Sequence, residues 1–211
     1  MTVFLPYSVL MSVYARESAA FLTMSLNSMM AQSIPPQEIV LVEDGLITSE
    51  LNESITNFDK AYPGLLTVVS YSKNQGLGYA LSRGLPVCRN EIVARMDSDD
   101  YAFPTRMEEQ LALMEERDLD MVGSQIVEFV KDPEHPVAAS TLPVSSDEIV
   151  AYSKKRNPFR HPSMVFKRAR PWKQETTVVN SCISRTGICS IECLLSDARH
   201  GILTIHWWPC A

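Results

Sequence analysis

Short runs of apolar residues alternate along the chain with longer segments in which apolar residues recur every three or four positions. The runs predict strands that are covered on both faces of a sheet, and the longer segments predict helices that pack on them. Strands are predicted at 7–13, 38–43, 65–71, 91–96 and 121–130. Helices are predicted between them at 16–31, 49–62, 78–84 and 104–116. This alternation predicts an α/β fold, a mostly parallel sheet with helices on both faces.

Polar residues follow three of the predicted strands, as Glu43-Asp44-Gly45, as the segment 73–78 and as Asp97-Ser98-Asp99-Asp100. Turn formation and helix capping explain Asp or Gly at any single strand end. Three carboxylates within four residues repel one another, however, unless a cation or a ligand proton offsets their charge. Because ligands of parallel sheets bind beyond the carboxyl ends of the strands, we predict a ligand site there. A divalent ion held by carboxylates and substrate phosphate oxygens suits the third segment.

The glycines in these segments match neither of the common phosphate-binding motifs. No Gly-Lys-Ser or Gly-Lys-Thr follows Gly76-Leu77-Gly78, as a P-loop requires. The first predicted strand-to-helix turn, residues 14–17, contains no glycine, whereas a dinucleotide-binding fingerprint has its glycines at that turn. The sequence therefore contains neither a P-loop nor a dinucleotide-binding fingerprint.

Composition and charge exclude further classes. With 45% hydrophobic residues, 21% charged residues and a mean hydropathy of −0.04, the chain is typical of globular proteins. A net charge of −6 argues against nucleic acid as a partner, because phosphate binding needs a basic face. No apolar stretch approaches the length of a membrane span, about 18 residues, and the first 16 residues lack the basic start of a signal peptide. We therefore expect a cytoplasmic protein.

Four segments, in their order and spacing, resemble glycosyltransferase family 2. They are SVLMSVY at 8–14, IVLVEDG at 39–45, NQGLGYALSRG at 74–84 and ARMDSDD at 94–100. The similarity is greatest to bacterial exopolysaccharide and capsule transferases of the amylovoran-biosynthesis type, and it extends from residue 7 to about 168. It includes NPFRHPSMVF at 157–166. The resemblance implies a GT-A fold that binds a nucleotide-diphosphate sugar, usually UDP-linked, together with Mn²⁺ or Mg²⁺.

The resemblance also implies roles for individual residues. Ser12 and Tyr14 would line the pocket for the base, and Asp44 would hydrogen-bond the uracil or ribose. The remaining residues bordering the nucleotide would be Asn74, Gly76, Arg83, Asp97 and Ser98. Asp97 and Asp99 form the family's DxD motif, in which Asp97 faces the ribose and Asp99 binds the metal. Asp100 would orient the donor sugar. His161 matches a histidine on the acceptor side, although capping or packing explains this residue equally well.

The implied function is transfer of a sugar from a UDP-sugar, with inversion, to a saccharide or lipid-linked oligosaccharide acceptor in exopolysaccharide, capsule or O-antigen biosynthesis. Such enzymes work at the cytoplasmic face of the inner membrane, so we expect at most peripheral membrane contact. Two alternatives remain open. One is a non-catalytic protein that binds nucleotide sugar. The other is a sugar-phosphate nucleotidyltransferase, which is disfavoured because that class carries a glycine-rich loop where this chain has residues 14–17.

The composition changes beyond Arg170. Four of the five cysteines and all three tryptophans lie there, but only six charged residues do, against 38 before. The spacing of Cys182, Cys189 and Cys193 contains no Cys-x-x-Cys pair and fits a zinc site poorly. The family's general base, a carboxylate in a Glu-Asp pair beyond the histidine motif, has no counterpart after Asp100.

A change of reading frame explains both observations. Codons that encode Ile183–Cys193 can be chosen so that a shifted frame encodes FEDWYLFYRM, which contains the missing Glu-Asp pair. The same frame over 171–177 can encode LEAG followed by Asn or Asp and Tyr, another family-like segment. We hypothesise an insertion or deletion near codons 167–170, so that 1–168 is a GT-A domain with an incomplete C-terminal part. Residues 169–211 would then be out-of-frame, poorly ordered sequence. The alternative is a divergent C-terminus that draws its base from Glu192 or Asp197.

The nucleotide sequence of codons 165–195 tests the frame hypothesis directly. We expect one shifted frame to continue the family pattern beyond Arg168 and to encode Glu-Asp-Trp at the position of Ile183–Cys193. Codons that cannot be shifted to encode Glu-Asp-Trp would contradict the hypothesis and favour the divergent C-terminus.

Overall fold

The computed structural model describes residues 5–130, 133–168 and 200–203. The strands are β1 Tyr7–Val13, β2 Glu38–Glu43, β3 Leu66–Ser70, β4 Ile92–Arg95, β5 Met121–Ser124, β6 Val127–Glu128, β7 Ala138–Ala139, β8 Val165–Lys167 and β9 His200–Leu203. The helices are α1 Ala19–Met30, α2 Ser49–Ala61, α3 Leu77–Gly84, α4 Arg106–Glu116 and α5 Ser146–Ser153. Short 3₁₀ turns lie at Leu85–Val87 and His161–Ser163.

Seven strands form the main sheet, in the order β3-β2-β1-β4-β8-β5-β9. The pairs β1–β2, β2–β3, β1–β4 and β5–β9 are parallel, and β8 is antiparallel to both of its neighbours. The predicted α/β class with a mostly parallel sheet is therefore confirmed. The chain leaves β1 toward β2 on one side and returns to β4 on the other side. The crevice between the carboxyl ends of β1 and β4 is thus the topological switch point, where such sheets bind ligands.

Alternate residues of the strands point to opposite faces of the sheet, and each face has its own apolar core. On one face, Val9 and Met11 of β1 pack with the buried sides of α1, α2 and α4. On the other face, Leu10 packs with Val42 and with α3. Helices therefore cover both faces, as the uninterrupted apolar runs of the strands predict.

Two predicted helices begin later than the apolar spacing suggests. Helix α1 begins at Ala19 rather than at residue 16, because Ser18 takes an extended backbone conformation as its N-cap. Helix α4 begins at Arg106 rather than at Pro104. The carboxyl-terminal bounds agree with the prediction within about one residue. For α2 and α3 the reason is that Gly or Pro lies at or just after the end of the helix.

The prediction of one strand over 121–130 is wrong. The main-sheet strand β5 ends at Ser124, and residues 127–128 pair instead with β7 in a separate two-stranded sheet. Side chains cause this break, because Gln125 accepts the Leu142 N–H at 2.9 Å and Ser140 accepts the Ile126 N–H at 2.8 Å. These contacts draw the chain out of the main sheet toward residues 138–142.

A third, smaller core lies below α5 and joins the second half of the domain to the sheet. It contains Met121, Leu142, Ile149, Phe159 and Met164. Helix α5 begins with a capping box, in which Ser145 and Glu148 bond each other's backbone N–H groups. Within the described residues, no helix is long and apolar enough to cross a membrane.

The tail beyond residue 168 was predicted to be poorly ordered, but it contributes one strand to the main sheet. Residues His200–Leu203 pair in parallel with β5 at the edge of that sheet. The cysteines on which a zinc site was considered lie outside the described residues. The division of the chain at residue 168 stays a prediction.

Candidate active site

Three carboxylates crowd the loop that follows β4 at the switch point. Each of Asp97, Asp99 and Asp100 offers an oxygen within 4.8 Å of the other two. Among the described residues they form the one group of three or more side chains with this metal-binding arrangement. The DxD residues predicted from the sequence are therefore brought together. Ser98 between them is buried and belongs to the floor of the loop.

A buried guanidinium lies directly below this cluster. Arg95, the last residue of β4, is only 3% exposed and forms an ion pair with Asp97. Its Nε and Nη1 groups are buried without a hydrogen-bond partner among the described residues. Asp97 is also held from the other side, because its carbonyl accepts the Ser25 hydroxyl of α1 at 2.7 Å. Asp97 is thus fixed by both its side chain and its backbone.

A second buried arginine joins the carboxylate loop to the following half of the domain. Arg106 of α4 donates from Nη2 to the carbonyl of Arg95 at 2.8 Å and to that of Pro162 at 3.1 Å. Gln110, one turn later, donates to the carbonyl of Ser163 at 2.8 Å. These bonds hold the end of β4 and the 161–163 turn against the same helix. The sequence gives no signal for this role, since Arg106 looks like an ordinary exposed residue of an amphipathic helix.

Burial and mutual repulsion act together on the carboxylate loop, and burial is the larger effect. Burial, together with the charges of Asp97 and Asp99, raises the pKa of Asp100 from 3.8 to about 6. Glu17, in the loop after β1, also has a raised pKa, because of its burial and the charges of Asp99 and Asp97. A fourth carboxylate therefore faces the cluster across the switch point. Sequence reasoning missed Glu17, although its place in the first strand-to-helix turn is a signal that was available.

His161 lies on the other side of the same cluster. Burial and the positive charge of Arg95 lower its pKa to about 4, while Asp97 acts in the opposite direction. The imidazole is therefore neutral at physiological pH, able to donate from one nitrogen and accept at the other. The expected role of His161 on the acceptor side stays a prediction.

A second group of predicted residues meets at the end of β2. The Asp44 carboxylate is only 4% exposed, and its two oxygens accept the N–H groups of Gln75 and Gly76, each at 2.8 Å. Asn74 donates from its side chain to the Asp44 carbonyl at 3.1 Å. Asp44 therefore fixes the backbone of the glycine-containing turn, a structural role that the sequence did not predict. Its expected contact with uracil or ribose stays a prediction.

Two glycines make this turn possible. Gly76 has φ +91° and Gly45 has φ +94°, a region that favours glycine. A Cβ at Gly45 would also lie 2.8 Å from the Asn74 backbone nitrogen. The close approach of the two loops thus depends on the absence of a side chain at Gly45.

The remaining predicted residues border the crevice. Tyr14, just after β1, is 39% exposed, and Ser12 is half-buried near the end of the same strand. Arg83 lies farther out, where its Nε donates to the Tyr71 hydroxyl at 3.1 Å and its guanidinium carbon lies 5.9 Å from that ring's centre. Since β2 and β4 flank β1, the Asp44 and Asp97 ends of the site are separated by about 10 Å, two strand spacings.

A cavity of about 300 Å³ opens beside Asp100, away from the glycine-containing turn. Its walls include Tyr101, Phe103 and Arg106 on one side, and Gln125 and Ser140 on the other. The Tyr101 and Phe103 rings meet edge to face, with centroids 5.3 Å apart. Aromatic rings beside a carboxylate and hydroxyl groups can bind a polar ring such as a sugar.

The carboxylate cluster at the switch point lies near a glycine-containing turn and an adjacent cavity. Comparison with known proteins shows which family has this arrangement of residues. The chain belongs to glycosyl transferase family 2, whose family model matches residues 8–185. An uncharacterised glycosyltransferase of Haemophilus influenzae is 39% identical over 77% of this chain and 61% of its own length.

Two relatives with more informative names are each 36% identical over 77% of this chain. One is the amylovoran biosynthesis glycosyltransferase AmsE of Erwinia amylovora, and the match covers 60% of its length. The other is the UDP-Gal:α-D-GlcNAc-diphosphoundecaprenol β-1,3-galactosyltransferase of Escherichia coli, of which 58% is covered. The chain therefore spans about 60% of the length of these curated relatives.

Solved structures confirm the fold. The 1–349 segment of Staphylococcus aureus TarS, solved in complex with UDP-GlcNAc, superposes on 95% of this chain and 56% of its own, with a TM-score of 0.66 and 18% identity. The mannosyltransferase PcManGT of Pyrobaculum calidifontis, solved with GDP-Man and Mn²⁺, superposes on 97% of this chain and 56% of its own, with a TM-score of 0.64 and 16% identity. The predicted GT-A fold is confirmed.

The raised pKa of Asp100 predicts how stability depends on pH in the absence of metal. Since the folded state holds this proton to higher pH than the unfolded state, stability is lost as pH rises from about 4 through about 6. Asp100→Asn removes that loss and is expected to raise the free energy of unfolding at pH 7.5 by about 1–3 kcal/mol, with much less gain at pH 4. Thermal unfolding at both pH values, with EDTA present, measures the difference.

Asp59→Asn, on the exposed surface of α2, is the matched control and is expected to leave stability nearly unchanged at both pH values. An equal gain in the free energy of unfolding at pH 4 and pH 7.5 for Asp100→Asn would contradict a raised pKa of Asp100 in the folded protein.

Proposed function

We propose that this chain is a glycosyltransferase that takes its donor from a UDP-sugar, requires a divalent cation and inverts the configuration of the transferred sugar. The observation that supports this most directly is the carboxylate cluster after β4, which lies across β1 from Asp44 and the glycine-containing turn. Family membership supports the reaction class, and the two clusters supply the two ends of a site for a nucleotide diphosphate.

The residues of the cluster fit a divalent cation. Three carboxylates with oxygens within 4.8 Å supply hard ligands for such an ion. Burial, and after it the charges of Asp97 and Asp99, raises the pKa of Asp100, and a bound cation would oppose both effects. The pair of Asp97 with Arg95 leaves Asp99, which is exposed, as the carboxylate free to reach a metal. When bound, Mn²⁺ or Mg²⁺ would neutralise charge on the leaving diphosphate.

The residues around the crevice then have separate tasks. Tyr14 and Ser12 border the base, and Asp44 fixes the turn whose Asn74 and Gly76 approach the nucleotide closely. Asp97 faces the ribose from a position that Arg95 and Ser25 hold still. Arg83, beside Tyr71, borders the outer edge of this region.

Asp100 and the cavity beside it suit the transferred sugar. The Asp100 carboxylate is an acceptor for sugar hydroxyls, and Tyr101 and Phe103 offer aromatic surface for the apolar face of a pyranose. Neutral His161, near Asp97, is placed to hydrogen-bond the sugar or the acceptor. In this arrangement the acceptor approaches from the side of the 161–163 turn.

The acceptor is a saccharide or a lipid-linked oligosaccharide of polysaccharide biosynthesis. Two relatives support this class by their names, one of which specifies a diphosphoundecaprenol-linked acceptor. With such an acceptor the protein would work at the cytoplasmic face of the membrane, in peripheral contact with the bilayer.

The second candidate function is nucleotide-sugar binding without turnover. It is favoured by one observation, the absence of any Glu-Asp pair after Asp100 to supply the general base of an inverting transfer. In this case the domain of residues 1–168 would bind UDP-sugar, and the 211-residue chain would show little or no transfer.

Calorimetry with UDP, with and without Mn²⁺, tests the donor site under either candidate. We expect binding by the wild-type chain that depends on Mn²⁺, because the diphosphate and the three carboxylates repel each other without it. Asp99→Ala is expected to lower the Mn²⁺-dependent affinity by at least about tenfold. Asp59→Ala on α2 removes one exposed carboxylate elsewhere and should bind as the wild type does.

UDP binding that is unchanged by EDTA or by Asp99→Ala would overturn the metal-dependent donor site. UDP release from a UDP-sugar in the presence of acceptor separates the two candidates, since only the first predicts turnover.

A further inference from the structure

A run of basic residues follows α5 on the surface of this acidic protein. Residues 154–160, KKRNPFR, are named here the basic loop, and Lys154, Lys155, Arg156 and Arg160 are all exposed. No acidic residue occurs between Glu148 and Arg168, although the chain as a whole has a net charge of −6. Positive charge is therefore concentrated on one short segment.

The fold holds the basic loop in a defined conformation. Ser153 before it and Phe159 within it are buried, and they fasten it at both ends. The Lys155 and Arg156 N–H groups donate to the Tyr152 carbonyl at 2.9 and 3.0 Å, and the Asn157 side chain accepts the Phe159 N–H at 2.9 Å. The apolar residues of the loop thus face inward, and its charged side chains are left at the surface.

Among the residues that the structure describes, the cations of the basic loop have no acidic partner. The ion pairs of the described residues involve Arg89, Arg95 and Lys167, and none involves Lys154, Lys155, Arg156 or Arg160. Four unpaired cations, projecting from an ordered loop, form a surface complementary to a negatively charged partner.

The basic loop is directly coupled to the site. It ends at Arg160, whose carbonyl accepts both the Ser163 N–H at 3.0 Å and the Ser163 hydroxyl at 2.8 Å. Pro162 and Ser163 line the cavity beside Asp100. A partner bound to the basic loop therefore lies next to the side from which the acceptor is proposed to enter.

We propose that the basic loop docks the protein on the headgroups of anionic phospholipids, with the acceptor side of the site facing the bilayer. Its biological meaning rests on the proposed lipid-linked acceptor, because a bilayer surface is where such an acceptor is found. Val150, one turn before Lys154 on the same face of α5, is 37% exposed and adds an apolar contact beside the cations.

A nucleic acid fits this surface less well. Single-stranded nucleic acid is bound by exposed aromatic rings between the cations, but Phe159, the aromatic residue of the basic loop, is 4% exposed. The negative charge of the rest of the chain also opposes a polyanion that extends beyond a small patch. A flat array of headgroups requires only the patch itself.

Sedimentation with lipid vesicles tests this proposal without donor or acceptor. The full chain is incubated with vesicles of phosphatidylcholine alone and of phosphatidylcholine with about 30% phosphatidylglycerol, at low and at high salt. We expect binding to the anionic vesicles that high salt abolishes, and little binding to the neutral ones. Lys155→Gln/Arg156→Gln is expected to lower partitioning about 25-fold, since each cation near the surface contributes about fivefold.

Lys60→Gln/Arg117→Gln is the matched control, because it removes the same charge from exposed positions on α2 and at the end of α4. It is expected to lower partitioning less than about threefold through net charge alone. Circular dichroism and UDP calorimetry on each variant establish that fold and donor site are intact. A failed donor site is thereby distinguished from a failed docking surface.

Three outcomes would overturn the proposal. They are equal binding to neutral and anionic vesicles, equal loss in the two double variants, and tighter binding of single-stranded DNA than of anionic vesicles at the same salt. Salt-sensitive binding to anionic vesicles alone, lost selectively in Lys155→Gln/Arg156→Gln, would support it.

Discussion

The carboxylate loop after β4 imposes the main physical constraint on this structure. Three negative charges lie within a few ångströms of one another, and such an arrangement is unfavourable unless other groups compensate it. Arg95 below the loop compensates part of the charge by pairing with Asp97. Arg106 and Ser25 hold the backbone carbonyls of Arg95 and Asp97, at the start of the loop. The charge that remains uncompensated at Asp99 and Asp100 is what a divalent cation would neutralise.

The contacts that support the carboxylate loop also join the two halves of the domain. The arginine of α4 that supports the end of β4 also bonds the carbonyl of Pro162, and Gln110 bonds that of Ser163. The 161–163 turn is therefore linked to the end of β4 through two side chains of one helix. The basic loop is attached to this turn at Arg160, so the proposed docking surface, the cavity and the carboxylate loop are parts of one connected structure.

Much of the fold could be predicted from the sequence, because buried parallel strands have a local signature. The bounds of β1 and β2 agree with the apolar runs, and the polar residues after β2 and β4 indicate the site without knowledge of the topology. The strand over 121–130 was predicted wrongly because its break depends on side-chain contacts of Gln125 and Ser140 with residues that are distant in sequence.

The site could be predicted only as a set of residues. The sequence indicates Asp97, Asp99 and Asp44, but it does not show that Asp44 fixes the glycine-containing turn through two backbone hydrogen bonds. Glu17 and Arg106 also escaped prediction. Glu17 approaches the cluster only because β1 and β4 are neighbours, and Arg106 is buried only because the 161–163 turn covers it.

We propose that the carboxylate loop and the end of β2 together form one metal-assisted site for a nucleotide diphosphate. A crystal of the chain grown with UDP and Mn²⁺, with anomalous scattering recorded for manganese, tests this claim most directly. We expect one manganese peak beside the Asp99 carboxylate and the diphosphate, with the uridine extending past Tyr14 toward Asp44. UDP bound with no manganese at the carboxylate loop, or manganese bound away from the nucleotide, would contradict it.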